Sequence, residues 1–117
     1  MEVKELLDNV VNVLSDKKAE DINVMYVAPA TNLADYFVVC TANSPIHADA
    51  LISELEDWLD VRDIEYHSEG DPTSWKLIDI GSIIVHIFTG EARDYYKLEE
   101  FWNKMLKIAK YKGGEGK

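Results

Sequence analysis

Little in this chain of 117 residues supplies redox, metal or phosphate chemistry. It has one cysteine, Cys40, so an internal disulfide is excluded. Cys40 lies in the apolar run Tyr36-Phe37-Val38-Val39-Cys40-Thr41, where a small buried thiol in a strand is expected. No base is placed near it in sequence to make it a nucleophile. There are three histidines, His47, His67 and His86, and none falls in an HxH, HxxxH or HExxH spacing. A metal site would need all three to converge, with Glu69 or Asp71 added, so no metal and no cofactor is expected. A Gly-rich phosphate loop and a GxSxG elbow are both missing. No apolar stretch approaches the roughly 18 residues a membrane span needs. The start, Met1-Glu2-Val3-Lys4-Glu5, lacks the basic region and apolar run of a signal peptide. It is also too acidic for a mitochondrial transit peptide, so the sequence reads as cytoplasmic. Basic residues are scarce as well: 12 Lys and Arg stand against 22 Asp and Glu, a net charge of −10. Affinity for phosphates comes from Lys and Arg, so bare nucleic acid is a poor match. A basic protein is a better one. The same charge also serves to keep a small domain soluble.

What is present is core. Hydrophobic residues make up 47% of the chain, enough for one domain. Val3, Leu6, Leu7, Val10, Val11 and Leu14 fall on one helix face. Ile22–Val27 and Tyr36–Thr41 read as strands, the second apolar nearly throughout, as expected for a strand covered on both faces. Ser44 is a good N-cap and Pro45 suits a first helical position. Ala48, Leu51, Ile52, Leu55 and Leu59 form the stripe of the helix they open. Ile64–Ser68 reads as a third, short strand. After the turn-rich Gly70-Asp71-Pro72-Thr73-Ser74, Trp75–Ile80 and Ile83–Phe88 read as two strands. Gly81-Ser82 between them suits a type II′ turn. One long helix is expected from Glu91, with Tyr95, Leu98, Trp102, Met105, Leu106 and Ala109 buried. The order α-β-β-α-β-β-β-α predicts a mixed sheet with helices packed on it. Residues 1–112 form the expected domain and 113–117, with three glycines, a flexible tail.

Two features carry a functional reading. A nucleotidyltransferase follows a Gly-Ser pair with paired aspartates that hold two metal ions. Asp79 precedes Gly81-Ser82, but nothing acidic follows in Ile83-Ile84-Val85-His86-Ile87-Phe88. Asp79 therefore reads as a residue that organises the hairpin or touches a partner. Trp75 opens a strand directly after a loop, near a sheet edge, where a Trp is a candidate interface anchor or a peripheral core residue.

Several ordered motifs carry a resemblance. Asp35-Tyr36-Phe37-Val38-Val39, Ser44 with His47, Glu69-Gly70, Trp75-x-Leu77-Ile78-Asp79-x-Gly81, Ile84-Val85-His86-Ile87-Phe88, and Arg93, Tyr96, Leu98-Glu99 and Trp102 together resemble the ribosomal silencing factor (Iojap-like) family. The first helix matches only in pattern. Ser82 stands where an acidic residue is common, and Ile80 where Leu is common. The resemblance implies an α/β fold with a mixed five-stranded sheet, nucleotidyltransferase-like but without the catalytic groups. It implies a binding protein rather than an enzyme, often a homodimer. The partner would be large-subunit ribosomal protein L-fourteen, and the bound domain would keep the two subunits apart when nutrients are scarce. By motif, Trp75 and Ile80 would be the apolar anchors. Asp79, Gly81 and Ser82 would shape the hairpin that presents them, and Glu69 and Gly70 would set the preceding loop. Strict alternation puts Trp75 and Ile80 on opposite faces of their strand, so a partner would have to wrap the hairpin edge. A nucleotidyltransferase-like enzyme and a dimeric adaptor with another partner are the competing readings.

Overall fold

The apolar stripe of the first residues becomes helix α1, Val3–Asp16, which buries Leu6, Leu7, Val10 and Leu14. The computed structural model describes the backbone of residues 1–115 and side chains through residue 109. Strands β1 (Glu20–Tyr26) and β2 (Tyr36–Ala42) follow, then α2 (Pro45–Val61), β3 (His67–Gly70), β4 (Trp75–Asp79) and β5 (Ile83–Thr89). Two helices close the chain, α3 (Ala92–Tyr96) and α4 (Leu98–Glu115). Helix α2 starts as its sequence dictates: the Ser44 side chain accepts the His47 N–H, and Pro45 occupies the first turn.

The strands form one five-stranded sheet in the order β1-β2-β5-β4-β3. The pair β2–β5 is parallel and the other three are antiparallel, so the sheet is mixed, as expected. The third strand is shifted. Its residue types predict it over 64–68, whereas the ladder begins at His67 opposite Asp79, because Ile64 and Tyr66 pack back on the α1/α2 core instead of entering the sheet.

Each face has its own core. On one, α1 and α2 lay Val10, Leu14, Leu51, Leu55 and Leu59 over Val38, Cys40, Ile78, Ile83, Val85 and Ile87. Complete burial of one such side chain contributes roughly 1.5–3 kcal/mol. On the other face, Met25, Phe37, Val39, Ile84 and Phe88 are met by Ala92, Leu98, Trp102 and Leu106. Burial also settles the thiol: Cys40 is pushed up to about 12, which leaves it protonated and inert at neutral pH.

The closing segment departs from expectation. The single helix from Glu91 is broken at Lys97, which takes a left-handed conformation with φ 53°. Tyr95, expected in the core, is 79% exposed. The break is held from outside the helix. Arg93 Nε and Nη2 donate to Glu99 at 2.7 and 3.0 Å, and Nη1 donates to Thr41 at 3.0 Å. Asn23 of β1 also donates to Glu99, at 2.6 Å. Arg93 holds the Glu99 carboxyl below its ordinary range. Helix α4 enters the stretch expected as a tail by running to Glu115, and residues 116–117 lie outside the described residues.

Candidate functional site

The second face of the sheet is covered on one side only. Trp102 of α4 stands edge-on to Phe37 of β2 at 5.2 Å, and α4 is tied to β1 by the Asn23–Glu99 hydrogen bond. Tyr96 of α3 lies 4.8 Å from Trp75. Beyond that line, no helix among the described residues covers β4 and β3 on this face. Strand alternation sets what they present. Trp75, Leu77 and Asp79 point one way and are half-buried; their cross-strand partners Glu69 and His67 on β3 are exposed. The result is an apolar centre with a polar, mostly acidic rim, the anatomy of an interface patch. Glu69, Gly70, Asp71, Trp75 and Leu77 line a shallow hollow of about 220 Å³ at its end.

The expected residues divide accordingly. Glu69, Gly70 and Trp75 come together at this hollow. Asp79, Gly81 and Ser82 sit at the far end of β4. There the Asp79 carboxylate accepts the Gly81 N–H at 2.8 Å, and Gly81 has a φ of +94°. The hairpin reading of Asp79 and Gly81 thus has a physical basis, with the carboxylate bracing a turn that needs positive φ. The Ser82 carbonyl accepts from the Asp35 and Tyr36 N–H groups, joining the turn to β2. Ile80 corrects the expectation. It is 8% exposed and belongs to the α1/α2 core on the opposite face from Trp75, so it is no exposed anchor and supports the hairpin from beneath.

Sequence reasoning misses three residues. Leu77 is the apolar neighbour of Trp75 on the same face, and period-two alternation counted from Trp75 would find it. Asp71 holds the loop before β4. Its carboxylate accepts the N–H groups of Thr73 at 2.9 Å and Ser74 at 2.6 Å, and the Ser74 hydroxyl at 2.7 Å. These bonds hold the Asp71 carboxyl well below its ordinary range. Asp-x-x-Ser is an Asx-turn signal. His86 has no legible signal for its partner: its Nδ1 accepts the Trp75 indole N–H at 3.2 Å.

Gly70 is required by close approach. Its φ is +132°, and a Cβ there would fall against the Trp75 carbonyl oxygen and within 2.7 Å of Lys76 Cα. Gly70→Ala is expected to cost about 1–3 kcal/mol of strain and to displace the start of β4. Thermal melts together with partner titration would register it as a lower midpoint and weaker binding. An alanine variant identical to wild type in both would contradict this.

Burial pushes His86 down to about 4 from an ordinary 6.5. The unfolded chain therefore takes up a proton near pH 6.5 that the fold refuses until about pH 4. Stability from this group is complete above pH 6.5 and is lost as pH falls through that window, by up to about 1.4 kcal/mol per pH unit. Urea unfolding at pH 7, 5.5 and 4.5 should show the midpoint falling, and His86→Leu should flatten the fall. A wild-type midpoint constant over this range would refute it.

Among the described residues, no group of three or more His, Cys, Asp and Glu could hold a metal ion. No helix among them is long and apolar enough to cross a membrane. A sequence profile described as "Ribosomal silencing factor during starvation" matches residues 1–115. The chain belongs to the ribosomal silencing factor family. The "Ribosomal silencing factor RsfS" of Bacillus subtilis is 36% identical over 104 residues, covering 87% of this chain and 88% of that protein. The mouse "Mitochondrial assembly of ribosomal large subunit protein 1" is 34% identical over 101 residues, 82% of this chain and 44% of its own length. A crystal structure of a Chromobacterium violaceum protein superposes with a TM-score of 0.83 at 30% identity, covering 88% of each chain. The two chains therefore share their fold over most of their length.

Proposed function

We propose that this silencing factor acts sterically, docking its open sheet face on large-subunit ribosomal protein L-fourteen and so keeping the small subunit from joining. The observation that carries the reading is the half-buried pair Trp75 and Leu77, set on an otherwise helix-covered face and rimmed by Glu69 and Asp79. An aromatic anchor of this kind concentrates binding energy. A net charge of −10 favours a basic protein over phosphate. Gly70 and Asp71 fix the loop that delivers Trp75, the Asp79–Gly81–Ser82 turn fixes the other end of the strand, and Ile80 anchors that turn in the core. No covalent step is required, because occupancy of the joining surface is itself the action. The protein works in the cytoplasm, and a homodimer is the form expected away from the ribosome.

Sedimentation of purified subunits tests this directly. Added to large and small subunits under joining conditions, the protein should travel with the large subunit and reduce the joined particle. It should bind isolated L-fourteen and not naked ribosomal RNA at physiological salt. Unchanged joining with the large subunit saturated, or RNA binding as tight as binding to L-fourteen, would overturn the proposal.

A further inference from the structure

His86 is a costly residue where it stands. It lies in the central strand β5, 5% exposed, flanked by the Phe37 ring at 4.7 Å. Its Nδ1 accepts the Trp75 Nε1–H at 3.2 Å, so the neutral ring carries its proton on Nε2. That Nε2 is buried and has no hydrogen-bond partner among the described residues. A buried donor left unpaired destabilises the fold, whereas an apolar side chain of similar size would carry no such penalty. For stability alone, histidine is a poor occupant of this site. What it does supply is an acceptor aimed at one atom.

The register explains why the acceptor reaches. Trp75 pairs directly with Phe88 and Leu77 with His86. His86 is thus the diagonal neighbour of Trp75 on the same face, within reach of an aromatic side chain. The indole also packs on Phe88 at 5.0 Å and Tyr96 at 4.8 Å. Ring contacts of this kind are weakly directional, while the Nε1–H bond fixes rotation about the indole's own axis.

We propose that His86 is a positioning residue, presenting Nδ1 from the buried strand to hold the Trp75 indole in its binding orientation before the partner arrives. An anchor fixed in advance loses less freedom on docking, so affinity rises without a new contact. The consequence for binding rests on the reading of Trp75 as an anchor; the positioning itself does not.

Nitrogen-15 NMR of the full chain separates the two. In the wild type, His86 should be the Nε2–H tautomer, and the Trp75 indole N–H, assigned with Trp75→Phe, should be rigid and slow to exchange. His86→Leu should melt at or above wild type, while the indole N–H exchanges at least about tenfold faster and affinity for purified large subunits drops about fivefold. His86→Asn, which keeps an acceptor near the Nδ1 position, should recover part of both. An Nδ1–H tautomer in the wild type, or undiminished indole protection in His86→Leu, would overturn the proposal, and the first needs no variant to fold. Lost indole order with unchanged large-subunit binding would uphold the positioning role and remove Trp75 as the anchor.

Discussion

Trp75→Ala is expected to weaken binding to isolated L-fourteen about 30-fold, a loss of about 2 kcal/mol, while leaving a folded domain. The indole is half-buried, packed on Phe88 and Tyr96 and hydrogen-bonded to His86, and it lines the shallow hollow beside Glu69. Its removal therefore takes away interface area and only part of a core contact. Large-to-small changes at full burial cost about 3–5 kcal/mol for Trp, so a half-buried one should lose clearly less. Calorimetric titration with melts of the same samples gives both numbers. Full-strength binding by a normally melting variant would place the interface elsewhere. A variant that no longer folds would make Trp75 a core residue first.

Ile80→Asp is expected to abolish the fold and to lose binding only for that reason. The side chain is buried with Ile78 and Ile83 beneath α1 and α2, and its N–H donates to the Ile83 carbonyl at 2.8 Å. A carboxylate at this place would be largely desolvated among aliphatic side chains. The cost should exceed about 4 kcal/mol, which removes the fold of a domain whose stability lies at the low end of the usual range of about 5–15 kcal/mol. Circular dichroism should show no cooperative melt. Leu77→Asp is the contrasting substitution, since Leu77 lies on the open face; it should melt cooperatively and bind poorly. A folded Ile80→Asp, melting within a few degrees of wild type, would refute the placement.

The two positions show what a sequence can carry. Alternation along β4 follows from local geometry, so residue spacing alone puts Trp75 and Ile80 on opposite faces. Which side of β4 is left open by the helices described is a tertiary fact, and the choice between Ile80 and Leu77 depends on it. The same division runs through the chain. Helix α1, the Ser44 cap, the Gly81 turn and four of the strands are written in spacing and in residues with special backbone preferences. The break at Lys97 is not, because neither Gly nor Pro marks it. It is imposed by Arg93 reaching Glu99 and Thr41. Strand β3 starts later than its residue types suggest because β-branched and aromatic residues suit a strand and a core equally well, and Ile64 and Tyr66 go to the core. The partner of His86 depends on the β4–β5 register, which single-sequence patterning does not fix.

The parallel pair at the centre of the sheet has a further consequence. Strand β2 meets β5 along its whole length, from Tyr36 opposite Ile83 to Ala42 opposite Thr89, while α2, β3 and β4 all lie between them in the chain. During synthesis, β1 and β2 emerge as a hairpin whose apolar inner edge stays unpaired until β5 has left the exit tunnel. Contacts so distant in sequence close slowly and late. Strand β5 is also what backs Trp75, through Phe88 and His86. The face that carries Trp75 therefore comes into being only once β5 has emerged and paired.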